Sequence, residues 1–522
     1  MIKKILLLGL IATPLISMAG VSTPPANVKY IPEMYALKVS PNGEWIGNRA
    51  GDTAIYNNIT GESVEYVEVG LGIGNSIANS GLAVGDINDR AAILYNGEII
   101  QPEELMAYWF CDINAITPDG SRICGIVNTE TGNQTFMRPF VAEINEIGNV
   151  VELMLLPYPK EDLLGYPPQY CTAVWISDDG QTVLGQVTDW SGQVINYPIV
   201  YTQDDNGEWE YSLPTESLFN PGNIYIPENP ALTEPEYPEP ENFMSGLRLS
   251  AYQQAYENWE AGLGEEPDPL EYMSEEQQKR FMEVFEFYNL WWNDKEAAIK
   301  EYNRVIAEVK KASPSFGDNA SALHPSGDYF MTLSILPGEN DEPNYSIYRF
   351  NTRDKGYQKF DSPEGRNYFP TQVLPDGTTL LSLPRNENPS TYMLLPGKTE
   401  FVSFSSFLQP DYPEIVSWLK DNFPAGDGWV TMSYDMSVIT GALTDAQFGE
   451  KFDDINGPLN STYILNDLQL AGIDEIAATN GNDGVYRVFN LQGVKVMETK
   501  DSSVLNSLPK GIYIVNGKKV IK

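Results

Sequence analysis

Short apolar runs alternate along most of the chain with turns rich in Pro, Asp, Asn and Gly, and the combination recurs. Val39-Ser-Pro-Asn-Gly43 leads to Gly47, Ala78-Asn-Ser-Gly81 to Gly85, Ile116-Thr-Pro-Asp-Gly120 to Gly125, and Ile176-Ser-Asp-Asp-Gly180 to Gly185. Leu323-His-Pro-Ser-Gly327 leads to Thr332, Val373-Leu-Pro-Asp-Gly377 to Ser382, and the degenerate Met432-Ser-Tyr-Asp-Met436 to Gly441. Proline at the second position presets φ, Asp or Asn tolerates the next bend, and Gly takes the positive-φ exit, so each turn joins two antiparallel strands. A further apolar-aromatic strand and another turn follow most of them, as in Ala54-Ile-Tyr-Asn57, Pro198-Ile-Val-Tyr201 and Thr391-Tyr-Met-Leu394. About four strands per unit result.

The unit recurs every 38 to 60 residues apart from one long interruption. That spacing suits propeller blades better than a solenoid. The expected fold class is all-β: a β-propeller of about seven four-stranded blades over residues 28–470, with a pair of β-sandwich domains as the alternative. The turns resemble the S-P-D-G turns of extracellular propeller repeats, including those of TolB-like proteins.

Between Gly180 and Gly327 the spacing jumps to 147 residues. Within this gap, residues 227–312 read as an insertion. Pro227, Pro230, Pro235, Pro238 and Pro240 make an extended entry, since proline blocks both helix and central strand. Two helices are predicted after it. Ser274-Glu-Glu-Gln277 is a capping box, and Phe281, Val284, Phe285, Tyr288 and Trp291 follow at helical spacing. Ala298, Tyr302, Val305, Ile306 and Val309 continue the pattern beyond Asn293-Asp294. The plain reading is a helical hairpin packed on the propeller; the sharper one is a partner-docking element or lid, with Trp291 and Trp292 as contact residues. Being adjacent, those two rings cannot share the centre of one helix face.

Residues 472–522 read as a small β-sandwich-like module. Val488-Phe-Asn-Leu-Gln-Gly493, Leu508-Pro-Lys-Gly511-Ile-Tyr513-Ile-Val515 and Asn516-Gly517-Lys518-Lys519-Val-Ile-Lys522 spell strands around glycine turns. These words resemble the C-terminal sorting domain that Bacteroidetes proteins present to the type IX secretion machinery. The resemblance implies delivery to the cell surface or the medium, with Gly493, Gly511, Tyr513, Gly517, Lys518 and Lys519 as its signature positions. The other end agrees with export. Lys3 and Lys4, the apolar run Ile5 to Ile16, and Ser17-Met18-Ala19 read as a signal peptide over 1–19, cleaved between Ala19 and Gly20. Nothing is apolar enough for long enough to span a bilayer as a helix.

Composition narrows the partners. With 33 basic against 72 acidic residues, the formal net charge of −39 repels phosphate backbones, so nucleic acid is not expected as a partner. Cys111, Cys124 and Cys171 allow at most one disulfide. Cys111–Cys171, Cys111–Cys124 and three free thiols all stay open. The single histidine, His324, lies in a turn, no G-x-S-x-G elbow occurs, and the cysteines lack C-x-x-C spacing. A serine triad and a His-based zinc site are therefore disfavoured, and no cofactor or metal is expected. Asp204-Asp-Asn-Gly207 lacks the alternating ligands of a calcium loop and reads as a hairpin turn.

The expectation is an exported, non-catalytic binding protein for a glycan, peptide or protein ligand. The alternatives are a polysaccharide-active enzyme using channel carboxylates and a structural component of an extracellular assembly. A convergent carboxylate pair would favour the enzyme, an aromatic platform the binder.

Overall fold

The computed structural model describes residues 21–521 except 33, 49–52, 66–74, 132–133, 160–167, 169, 189–195, 219–224, 226, 228–233, 313–314, 338–342, 355, 384–389, 424–425, 444–460, 467, 469–485, 490–494, 500–511 and 516–517. It is mostly β. The turns close as their residues dictate: the N–H groups of Gly43, Gly120 and Gly180 donate to the carbonyls of Ser40, Thr117 and Ser177 at 2.8 to 2.9 Å. Gly120 and Gly180 take φ of 76° and 71°, which a side chain resists. Met436 holds the same conformation, at φ 55°. There Asp435 braces the turn by accepting from the hydroxyls of Ser433 and Ser437.

Each turn joins the first two strands of an antiparallel four-stranded array. The first array is Ala36–Val39, Trp45–Asn48, Thr53–Asn57 and Ser63–Glu65; the second is Ser76–Ile77, Ala83–Ile87, Arg90–Tyr95 and Glu98–Ile100. The third (Cys111–Ile116, Arg122–Thr131, Gln134–Ile144, Val150–Leu155) and fourth (Tyr170–Ile176, Thr182–Thr188, Asn196–Gln203, Trp209–Ser212) join into one eight-stranded sheet through a parallel contact of Met137 with Tyr170. The fifth is Ser315–Leu323, Tyr329–Pro337, Pro343–Asn351 and Tyr357–Asp361; the sixth is Phe369–Val373, Thr379–Ser382, Thr391–Leu394 and Phe401–Ser403.

The last array takes its strands from both ends of the chain. Trp429–Met432, Val438–Leu443 and Ser461–Asn466 are completed by Val28–Pro32, with Val28 opposite Leu465 and Pro32 opposite Ser461. An otherwise open strand edge is thereby paired. Neighbouring arrays pack through their first strands, and the last packs on the first through Trp429–Met432 and Ala36–Val39.

One irregularity repeats. The pairing of first with second strand slips by a residue at Leu37, Asn114, Val174 and Thr371. Each slip is a bulge that turns the strand and re-aims its side chains. In the third and fourth arrays it also explains the glycine that follows the turn. A Cβ on Gly125 would lie 2.0 Å from the Asp112 carbonyl oxygen, and one on Gly185 would lie 1.8 Å from that of Thr172. The bulged first strand presses its carbonyl onto that Cα, so only glycine fits there.

In the insertion, Ser274 caps Glu275–Asn293 reciprocally with Gln277, and Lys295–Ala312 follows. Ala298, Tyr302, Val305, Ile306 and Val309 pack into one core with Tyr197 and Tyr201 of the fourth array and Phe316, Phe330 and Phe350 of the fifth. A third helix, Gly246–Glu260, was not expected. Its apolar residues form no stripe: Tyr252 is buried while Leu247 is 90% exposed, so no periodic signal marks it. Phe404–Leu408 and Pro413–Asn422 add short helices whose Phe404, Ile415 and Trp418 cover the last array.

In the tail, the described strands form one four-stranded sheet, ordered Lys495–Thr499, Tyr486–Phe489, Ile512–Val515 and Lys518–Ile521, and not a two-layered sandwich. All three cysteines are buried and none of them forms a disulfide. They sit on separate strands opposite Val127, Ala115 and Val187. Among the described residues no helix is long and apolar enough to cross a membrane.

Candidate ligand-binding cavity

The first strands of all the arrays described above, apart from the tail sheet, contribute to one cavity of about 400 Å³. Phe110, Tyr170, Phe369 and Trp429 stand at one end, each beginning or immediately preceding its strand. Trp429 and Phe369 pack at 5.6 Å, and Trp109, 52% exposed, meets Phe110 edge-on at 6.2 Å. Aromatic side chains of this kind give rigid, amphipathic contact area at low entropic cost.

The other end is formed by second residues of the turns, among them Pro41, Pro118, Asp178, Pro325 and Tyr434. Three turns lack proline at this position, and all three use the recovered N–H identically. Asn79 donates to the Pro118 carbonyl at 2.9 Å, Asp178 to Pro325 at 2.8 Å and Tyr434 to Pro41 at 2.9 Å, each linking one array to the next. The Tyr434 hydroxyl then crosses the cavity to Asp178 at 2.7 Å. Burial pushes the Asp178 carboxyl up to about 6, against the pull of that hydrogen bond toward the charged form.

Between the two ends lies Lys38. Its Nζ donates to the Thr371 carbonyl at 3.3 Å and sits 4.1 Å from the centre of the Trp175 ring, on the fourth array. Trp175 is itself anchored by its N–H on the Ser321 carbonyl at 2.7 Å. Half-buried in the cavity wall, Lys38 has its pKa lowered by desolvation to about 8. The bulge residues Asn114 and Thr371 also line the wall, and the Asn114 amide donates to the Ala173 carbonyl at 2.8 Å.

The cavity holds two carboxylates, Asp112 and Asp178. Asp112 occupies the strand position that Thr172 holds next door, six residues before Asp178. At about 3.3 Å per residue the two lie roughly 15–20 Å apart along the wall. Paired glycosidase carboxylates stand about 5–10 Å apart. The two acids do not converge.

His324 lies in its turn outside this cavity. Its Nδ1 is 2.8 Å from the Ser326 hydroxyl and its ring stacks on Tyr329 at 4.5 Å. It borders a separate pocket of about 380 Å³ that includes Arg349, whose guanidinium lies 3.7 Å over the Tyr329 ring. Among the described residues no group of three His, Cys, Asp or Glu side chains is placed to hold a metal.

The positions singled out in the sequence lie elsewhere. Trp292 is 56% exposed, while Trp291 packs against the core under the helical hairpin with Lys295 Nζ 5.1 Å over its ring. Tyr513 lies on the third strand of the tail sheet, and Lys518 and Lys519 on the fourth. Ala19, Gly20, Gly493, Gly511 and Gly517 fall outside the described residues. Lys38, Trp175, Trp429 and Tyr434 were not singled out. One signal was available: Asp178 and Tyr434 replace proline at a turn position where the pattern prefers it.

No protein-family model matches the chain, and no curated protein is similar to it in sequence. Solved structures resemble it distantly. An oligogalacturonate lyase from Vibrio parahaemolyticus aligns at 10% identity over 85% of this chain and 92% of its own, with a TM-score of 0.41. A prolyl endopeptidase aligns at 9% over 89% and 53%, with a TM-score of 0.36. The N11 neuraminidase-like protein of an influenza virus of the flat-faced bat aligns at 9% over 87% and 91%, with a TM-score of 0.31. These neighbours are β-propeller-like. Similarity this distant assigns no residue a role.

Proposed function

We propose that the chain is an exported, non-catalytic glycan-binding protein whose seven four-stranded arrays are the blades of a closed propeller, and that the ligand enters the central cavity from its aromatic end. The observation that carries this reading is the pairing of an aromatic collar with carboxylates too far apart to act together. A pocket of about this size, whose wall mixes polar and apolar side chains in near-equal measure, suits a small polar ligand or the end of a longer one. The bulges weigh against an extended peptide, because they interrupt the regular row of backbone groups that strand addition needs.

A glycan array probed with the full chain tests it. Binding to a defined glycan class that is lost in Trp429→Ala supports the reading. Binding that ignores the cavity variant, or cleavage of the bound glycans, overturns it in favour of another surface or of the enzyme.

Residues 1–19 are proposed as the signal peptide and 472–522 as the sorting module that brings the protein to the cell surface or the medium through the type IX machinery. Retention in the periplasm when 472–522 is deleted supports that route; unchanged delivery removes it. On the insertion, residues 227–312, Trp292 is proposed as a partner contact, since its ring is open to solvent, whereas much of Trp291 is committed to the core.

A further inference from the structure

Among the described residues Lys38 is an ammonium without a salt-bridge partner: no carboxylate oxygen lies within 4.0 Å of it. Of its three N–H donors, one is given to the Thr371 carbonyl, and the Trp175 ring supplies the remaining stabilisation. This happens in a chain where acids outnumber bases by 72 to 33, so a carboxylate near any given lysine is the ordinary outcome. A desolvated ammonium with unspent donors in a cavity wall is uncommon in folded proteins, and it is the complement of an acceptor-rich, negatively charged group.

We infer that the ligand of this cavity is an acidic sugar whose carboxylate binds Lys38 Nζ. A single ammonium matches the single charge of a carboxylate. The cavity also carries Asp112 and Asp178, which a dianionic phosphate would crowd with surplus negative charge. Trp175 fixes the ammonium from below by its anchored ring, so Lys38 is held in place before the ligand arrives.

This inference rests on the glycan-binding reading, and the test separates the two. The full chain, Lys38→Met and Trp429→Phe are applied to an array of matched glycans in which one sugar carries a carboxylate, the corresponding primary alcohol, or a sulfate ester. The wild-type protein is expected to prefer the carboxylate member about tenfold or more, the scale of a charge-assisted hydrogen bond. Lys38→Met should bind carboxylate and alcohol members equally and still bind through the aromatic collar, and Trp429→Phe should weaken both members alike. Thermal unfolding verifies that both variants are folded. Equal wild-type binding of acid and alcohol, a preference for the sulfate, or an acid preference retained in Lys38→Met overturns the inference while leaving the glycan reading intact. Absence of binding to every member by the wild-type protein overturns both.

Discussion

Replacing Lys38 with methionine is expected to make the protein more stable at neutral pH. Methionine keeps the stem and a comparable volume while removing a charge that the fold desolvates. The Lys38 pKa drops from 10.5 to about 8 on folding, which corresponds to about 3 kcal/mol of penalty on the charged form. Water entering through the cavity, together with the lost cation–π contact at 4.1 Å, worth about 1–2 kcal/mol when desolvated, reduces the net gain to about 1–2 kcal/mol.

The sign of the pH dependence follows from the direction of the shift. Below about 8 both folded and unfolded forms carry the proton, and the folded one bears the full penalty. Between about 8 and 10.5 the unfolded chain still binds the proton and the folded chain has released it, so wild-type stability climbs with pH. The other titratable groups lining the cavity, Asp112, Asp178, Tyr170 and Tyr434, are common to both proteins. The difference between the two proteins therefore reports Lys38. Urea unfolding at pH 7, 8, 9 and 10, followed by tryptophan fluorescence, measures it. A variant less stable than wild type at pH 7, or a difference that fails to shrink toward pH 10, refutes the reasoning.

Gly125→Ala and Gly185→Ala should each cost more than about 3 kcal/mol, because the new Cβ would stand 2.0 and 1.8 Å from a backbone oxygen. Gly264→Ala, with nothing within 4 Å, should stay within about 0.5 kcal/mol; urea midpoints that fail to separate them contradict the bulge account. Tyr434→Phe removes the donor to Asp178 and should cost about 1–2 kcal/mol at pH 7.5 but less at pH 5. The folded carboxyl, raised to about 6, is largely protonated there, and the charge-assisted bond from Tyr434 gains its full strength only as pH rises through that value; a cost independent of pH argues against it. Removing Val28–Pro32 strips the pairing partner from Ser461–Asn466 and should give aggregation or a broadened melt on size-exclusion and calorimetric measurement, while an unchanged melting temperature would show that this pairing contributes little. The buried Cys111, Cys124 and Cys171 should resist Ellman's reagent in the native protein and react only as it unfolds; rapid native labelling would place at least one at the surface.

The strand–turn–strand units were legible because each is local. A Pro-Asp-Gly spelling fixes a turn whatever surrounds it, and the small residue five positions after Gly120 and Gly180 is demanded by the adjoining strand of the same unit. The capping box at Ser274 was readable for the same reason, with both of its bonds lying inside one helical turn. The helix Gly246–Glu260 was not readable, since it has neither a side-chain cap nor an apolar stripe. The edge strand Val28–Pro32 pairs with Ser461–Asn466, and no local pattern can announce a partner more than 400 residues away.

The cavity was illegible on the same grounds. Lys38 meets Trp175 and the Thr371 carbonyl, and Asp178 meets Tyr434: every pair joins separate repeats and exists only because the arrays pack around a common centre. Within its own repeat Lys38 is an unremarkable strand lysine two positions before the Ser40 turn. The repeats hold their turn and bulge chemistry nearly constant, and it is at positions where that constancy lapses that the cavity acquires its polar groups. Lysine and tryptophan stand at the strand position that Ala115 fills in the third array, and aspartate and tyrosine stand where other turns carry proline. In a repeat architecture the shared residues build the wall, and the departures from the repeat give each part of the wall its own chemistry; a stability gain from removing Lys38 would show that such a departure is maintained against the interest of the fold.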